Sequence, residues 1–170
     1  MAGLLNKKAQ TPEDIIYGIV IILMIGIGGL IASYAINEFT TTAGNFSALN
    51  NSATTAAFQD ANNLNNYWDY IILVVLIAIS IGVVVLGYFL DVHSVFLPLY
   101  IISMLIGVIV AGIGQYIWNQ VSDDLIFTTI KAAQFPITDH ILTNLALYFT
   151  IIAAMGLVAT YAKTGGGGRE

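Results

Sequence analysis

The sequence predicts an all-α integral membrane protein with four transmembrane helices, both termini on the cytoplasmic side and short interfacial helices in the outer loops. Two observations predict this class. The composition is 58% hydrophobic and only 9% charged, whereas soluble domains carry about 25% charged residues. Four runs also contain no Asp, Glu, Lys or Arg: residues 15–37, 70–90, 95–118 and 141–162. Each run is long enough to cross about 30 Å of hydrocarbon as a helix, and none alternates as a barrel strand would.

Helix 1 is predicted over residues 12–37, after an inner tail of residues 1–11. Thr11 offers a hydroxyl N-cap, Pro12 suits the first helical position, and Glu13 and Asp14 follow in the first turn. The apolar run is longer than the roughly 7–15 residues of a secretory signal, so we expect an uncleaved anchor.

A polar outer loop is predicted over residues 38–69, where Asn, Ser and Thr replace the apolar residues. This composition is too polar to enter lipid, and we expect one helix near residues 53–65 lying on the membrane. Asn45 and Asn50 each begin a glycosylation sequon, which is a weak signal that matters only in a secretory host.

The second half of the chain completes the bundle. The predicted elements are helix 2 (70–90), helix 3 (94–118), an outer connector (119–138), helix 4 (139–162) and a Gly-rich inner tail (163–170). The turn between helices 2 and 3 is so short that an antiparallel hairpin is expected.

The outer connector is predicted to contain an interfacial helix. Ser122 would cap it, and Leu125, Ile126, Ile130 and Ala133 would share its apolar side. Pro136 would end this helix, and Thr138 would cap helix 4.

Orientation follows from the few basic residues. Lys7, Lys8, Lys163 and Arg169 share one side with both termini, and Lys131 lies alone on the other, which predicts cytoplasmic termini. Aromatic residues near the ends of the runs are predicted to anchor the helices in the headgroup layers. These interface anchors are Trp68 and Trp118 on the outer side, and Tyr17 and Tyr161 on the inner side.

Small residues on three helices predict where the helices pack, because close backbone approach drives association in lipid. Helix 3 has the longest stripe, and the competing interpretation is background glycine, which is common in membrane helices. The predicted helix-packing residues are Gly28, Gly29, Ala78, Gly82, Ser103, Gly107, Ala111 and Gly114.

No catalytic constellation, phosphate-binding loop or cofactor motif is recognisable, so we expect a protein that is not an enzyme and holds no cofactor. The chain has no cysteine, and His93 and His140 are predicted on opposite sides of the membrane, which disfavours a metal site. His140, Thr143 and Asn144 share a face of helix 4, but that face lies near the outer surface and is expected to be a hydrogen-bonded helix end.

The segments "EDIIYGIVIILMIGIG", "INEF", "NNYWDY", "FLDVHSVF" and "AAQFPITDHILTNLALY" together resemble small multi-span membrane proteins of membrane-containing bacterial or archaeal viruses. The resemblance implies a structural protein of a virion or host cytoplasmic membrane. Its implied partners are the lipid bilayer, neighbouring membrane or capsid proteins and further copies of itself. The single arginine leaves little for binding nucleic acid. Two alternatives stay open: a holin-like or small channel protein, and an accessory subunit of a respiratory or oxidising membrane complex.

Overall fold

The computed structural model describes residues 12–46, 51–89 and 96–166. These residues form six α-helices and no strand. Four of the helices are long and apolar enough to cross a membrane, with candidate spans at Ile16–Gly44, Tyr67–Val85, Tyr100–Ser122 and Leu145–Ala162. The prediction of an all-α chain with four such helices is therefore confirmed for the described residues. The inner tail 1–11, the turn at residues 91–94, residue Asn50 and residues 167–170 lie outside them.

Helices α1 (Pro12–Gly44) and α2 (Ser52–Phe89) are both longer than the predicted spans. At about 1.5 Å per residue, the 38 residues of α2 extend about 57 Å. Most of the predicted polar loop, residues 38–69, is consequently helical, and residues 53–65 continue α2 instead of forming a separate surface helix.

Side chains at the start of α2 and the end of α1 explain how this polar segment stays helical. Asn51 Oδ1 accepts hydrogen bonds from the backbone N–H and the hydroxyl of Thr54, both at 2.9 Å, which caps α2. Phe39 of α1 packs edge-to-face on Phe58 of α2, with ring centroids 5.8 Å apart. The two helix ends therefore support each other. The 29 residues of the α1 candidate span extend about 43 Å, which exceeds a hydrocarbon layer of about 30 Å, so the polar end of α1 continues past that layer beside the start of α2. We call residues 38–46 and 51–66 the projecting hairpin.

Helix α3 (Phe96–Ser122) also runs past its predicted end at residue 118, and α4 (Thr128–Gln134) follows after a turn at residues 123–127. Ser122 is thus the last residue of α3 and does not cap α4, so that prediction is wrong. The predicted apolar side is divided: Ile130 is buried, whereas Leu125 and Ile126 are exposed in the turn and Ala133 is exposed on α4.

The predicted helix 4 is two helices, α5 (Pro136–Thr143) and α6 (Leu145–Gly166). Asn144 separates them, and its backbone N–H bonds to the oxygen of Ile141 only three residues earlier. This tighter turn interrupts the α-helical pattern.

The four long helices form a ring in which α1 and α6 each pack against both α2 and α3. Helices α2 and α3 are consecutive, but they lie on a diagonal of this ring, and α6 sits between them. A Cβ atom at Gly156 of α6 would lie 2.7 Å from Val83 of α2 and 2.5 Å from the hydroxyl of Tyr100 of α3. Along the described residues, α2 and α3 therefore pack on α6 and not directly on each other. The turn that would join them as the predicted antiparallel hairpin lies outside the described residues.

The most completely buried side chains gather toward one end of the bundle, where α4 and α5 lie against α1, α2 and α3. We call this end, which also includes the turn at residues 123–127, the cap end. Fully buried large residues here include Leu30, Trp118, Phe135 and Leu142.

Candidate functional site at the cap end

Asp69, near the start of the α2 span, caps the N-terminus of α5. Its Oδ2 accepts the N–H of Ile137 at 3.1 Å, and its Oδ1 accepts the N–H of Thr138 at 2.6 Å. The first residue of α5 is Pro136, which has no N–H, and the preceding Phe135 provides no side-chain cap. A carboxylate from a neighbouring helix therefore satisfies the free donors and complements the positive end of the helix.

Thr138 does not have the capping role predicted for it. It is the third residue of α5, and its backbone donates to Asp69, while its own hydroxyl is buried and has no hydrogen-bond partner among the described residues. The helix begins two residues earlier than expected because proline starts it and Asp69 supplies the cap.

Trp118 is fully buried, so the prediction that it anchors α3 in a headgroup layer is wrong. Its indole N–H donates to Asp139 Oδ1 of α5 at 3.0 Å. The large ring fills the space between the helices, and the one polar atom of the side chain finds a carboxylate. Asp139 Oδ1 also accepts a hydrogen bond from the hydroxyl of Thr143 at 3.3 Å.

Lys131 on α4 joins two carboxylates. Its Nζ lies 2.6 Å from Asp123 Oδ1 and 3.6 Å from Asp139 Oδ1. Burial alone would lower the pKa of this ammonium, but the hydrogen bonds and charges of the two carboxylates outweigh burial and raise the pKa above its ordinary value. The ammonium group therefore links α4 to the turn that follows α3 and to α5.

Two amide side chains of α3 support the break between α5 and α6. Asn119 Oδ1 lies 3.3 Å from the hydroxyl of Thr143 and shares its single proton with Asp139 Oδ1. Gln115 Oε1 accepts the backbone N–H of Ala146 at 3.4 Å. Between Thr143 and Ala146, the side-chain amide of Asn144 donates to the backbone oxygen of His140 at 2.9 Å. The polar residues predicted at the start of helix 4 thus bond within the cap end, as hydrogen-bonded helix ends do.

Beside this network is an open depression of about 300 Å³, on the surface formed by the end of α3 and the turn that follows it. Its lining residues are Tyr116, Asn119, Gln120, Asp123 and Asp124. Within the described ranges, no three His, Asp or Glu residues are grouped so that they could hold a metal ion. His140 is exposed, and its ring contacts Tyr148 edge-to-face at 6.2 Å.

The predicted packing residues are distributed over both sides of their helices. Gly107, Ala111 and Gly114 of α3 are buried, and a Cβ atom at Gly114 would lie 3.2 Å from Leu145 of α6. Ser103 of the same stripe is half-buried. Helix α3 therefore presents most of its small residues to the bundle.

The small residues of α1 and α2 are placed differently. Gly29 faces the cap end, where a Cβ atom would lie 3.3 Å from Phe135 and 3.6 Å from Trp68. Nothing in the described chain comes within 4 Å of such an atom at Gly28 or Gly82, and Ala78 is exposed. These three residues consequently do not mediate close packing between the described helices.

The other three predicted anchors keep part of their surface outside the bundle. Tyr17 and Tyr161 are 62% and 52% exposed, whereas Trp68 is half-buried and packs on the core. Sequence reasoning missed Asp69 as a helix cap. The available signal was Phe135-Pro136, a helix start without a capping side chain of its own, which requires an acceptor from another element.

Comparison with protein-family models, with curated protein sequences and with solved structures finds no match for this chain.

Proposed function

We propose that this chain is a non-enzymatic structural membrane protein that packs against neighbouring membrane or capsid proteins in a larger assembly, the membrane of a virion. The four apolar helices are compatible with a membrane-embedded protein. The host cytoplasmic membrane is the second location consistent with the chain.

The observation that carries this proposal is the projecting hairpin. Helix α2 begins at Ser52, whereas its apolar span begins at Tyr67. At about 1.5 Å per residue, the intervening segment adds about 22 Å of continuous helix beyond the span. A rigid extension of this length offers a surface for contact with another protein.

The chemistry of the hairpin suits a protein partner better than lipid. Its only charged residues are Glu38 and Asp60, and most of its residues are Asn, Thr or Ala. Phe39 and Phe46 remain more than half exposed on it. Aromatic side chains surrounded by uncharged polar groups are typical of the centre of protein interfaces.

In the proposed orientation both termini lie on the cytoplasmic side, or on the side derived from it, and the cap end and the projecting hairpin lie on the other. The described cap end has one lysine, Lys131, and this residue is paired with carboxylates. A low content of basic residues is typical of the translocated side. Helix α4 would then lie at the membrane surface.

Purification of the tagged full-length chain from its native membranes in a mild detergent tests the proposal. We expect membrane or capsid proteins to co-purify in fixed proportion and Phe46→Asp to release them. Tyr17→Ser, which changes an equally exposed aromatic residue near the other end of α1, should retain them. Recovery of the chain alone from these membranes would contradict the proposal, and ion conductance in liposomes would favour a channel.

A further inference from the structure

The turn between α3 and α4, residues 123–127, exposes two large aliphatic side chains side by side. Leu125 is 90% exposed and Ile126 is 52% exposed. We call residues 123–127 the apolar turn. Exposed neighbouring aliphatic residues beyond the end of a span indicate a contact outside the described chain.

The apolar turn is well ordered by its own hydrogen bonds. Asp124 accepts three of them: its backbone oxygen accepts the N–H of Phe127 at 2.9 Å and that of Thr128 at 3.1 Å, and its carboxylate accepts the N–H of Ile126 at 3.2 Å. The hydroxyl of Thr128 donates to the backbone oxygen of Leu125 at 3.2 Å. The exposure of Leu125 and Ile126 therefore results from a defined backbone conformation.

Two observations indicate that this turn lies where the bundle leaves the apolar layer. The candidate span of α3 ends at Ser122, directly before the turn. At the other end of the turn, Phe127 packs edge-to-face on Tyr34 of α1, with ring centroids 5.6 Å apart. The turn is thus held against the side of the bundle and does not extend along the projecting hairpin.

We infer that Leu125 and Ile126 insert into the headgroup and upper acyl layer of the bilayer that surrounds the spans. Lipid is the occupant because the exposed aliphatic face of α3, which includes Ile109, Ile113 and Ile117, ends just below the turn. Lys131 binds Asp123 at 2.6 Å and so neutralises one of the two acids beside the inserted side chains. This inference requires that the spans are embedded, and it is independent of any protein partner.

The experiment uses the absence of cysteine from the chain. Single variants Leu125→Cys and Ile126→Cys are labelled with an environment-sensitive nitrobenzoxadiazole probe and reconstituted into phosphatidylcholine liposomes. Ile109→Cys, in the middle of the α3 span, is the lipid control, and Gln59→Cys, exposed on the projecting hairpin, is the water control. Each probe is then quenched by iodide on both sides of the membrane, by lipids that carry a nitroxide near the headgroup, or, for the Ile109 control, by lipids that carry a nitroxide near the end of an acyl chain.

We expect the probes at Leu125 and Ile126 to be quenched by the nitroxide lipids and shielded from iodide, with emission shifted to the blue of the Gln59 probe. Iodide quenching equal to that at Gln59 would overturn the inference. Shielding from both quenchers would also overturn it and would identify a protein, such as a second copy, as the occupant. Absence of lipid quenching at Ile109 would show instead that the spans are not embedded. That result would count against the membrane location and not against the proposed contact with other proteins.

Discussion

Replacement of Asp69 by alanine tests the most central interaction of the cap end. Asp69 is 5% exposed, and its carboxylate accepts the backbone N–H groups of Ile137 and Thr138. Its removal leaves two N–H groups of α5 without an acceptor in a buried site. An unsatisfied buried donor costs about 1–3 kcal/mol, so we expect a loss of about 2–5 kcal/mol in the free energy of unfolding.

Two further variants separate this cause from a general effect of losing an acid. Asp69→Asn keeps one acceptor oxygen in the same place, so it should lose about half as much stability. Asp60→Ala removes an exposed carboxylate of the same helix, and the expected change is within about 0.5 kcal/mol.

Equilibrium unfolding in detergent micelles measures these differences, and tryptophan fluorescence is a suitable signal. The chain has two tryptophans, of which Trp68 directly precedes Asp69 and Trp118 packs in the same cluster. The transition observed by fluorescence therefore reports the cap end. Equal stabilities of Asp69→Ala and Asp60→Ala would refute the reasoning, because the capping bonds would then contribute nothing.

Four further substitutions test other contacts by the same unfolding measurement. Trp118→Phe removes the hydrogen bond to Asp139 and part of the ring volume, and should cost about 2–4 kcal/mol. Thr138→Val removes a buried hydroxyl without a partner, and should leave stability unchanged or raise it by about 1 kcal/mol. Gly156→Ala places a Cβ atom 2.5 Å from the nearest hydroxyl oxygen, and should cost about 1–3 kcal/mol. Lys131→Met should cost about 1 kcal/mol at neutral pH, since one of its partners is largely exposed.

The lysine prediction also has a definite pH dependence. Because the pKa of Lys131 is raised in the folded protein, its contribution is complete below the ordinary lysine pKa and is lost as the pH rises through the folded pKa. The difference between the wild type and Lys131→Met should therefore be constant from neutral pH to about pH 10 and shrink above it. A difference that grows with rising pH would contradict this sign.

The remaining predictions have their own controls. Gly82→Ala introduces the same methyl group at a position with no neighbouring atom within 4 Å, so it should not destabilise the protein. If Gly82→Ala and Gly156→Ala behave alike, close packing of α6 is not the cause. A large loss of unfolding free energy in Thr138→Val would show that the hydroxyl has a hydrogen-bond partner. An unchanged unfolding free energy in Trp118→Phe would show that the indole hydrogen bond does not stabilise the fold.

The four apolar helices could be predicted because a single property determines them. A helix in lipid satisfies its own backbone groups, and runs without charge are therefore visible in the sequence whatever the helices pack against. The C-terminal end of α1 and the N-terminal end of α2 were not predictable in the same way. Asn and Thr have weak helix propensity, and their helical state here depends on the Asn51 cap and on the contact between Phe39 and Phe58.

The faces of the helices were also difficult to predict. In a membrane protein both the lipid-facing side and the buried side are apolar, so hydrophobic periodicity does not separate them. Trp118 illustrates the difficulty, because a tryptophan at the end of a span suits a headgroup layer and a polar core contact equally well. Only the position of Asp139, 21 residues later, distinguishes the two.

The acids of the cap end indicate where interactions with other molecules should be sought. Asp69 binds backbone N–H groups, Asp139 binds Trp118, and Asp123 binds Lys131. Each of these carboxylates would have to give up a contact within the fold before it could bind an external group, and for the buried Asp69 that exchange would leave donors of α5 unsatisfied. The projecting hairpin and the apolar turn expose their side chains without such a cost. A partner protein or the lipid surface should therefore act on these two regions, while the carboxylate network keeps α4 and α5 in place beneath them.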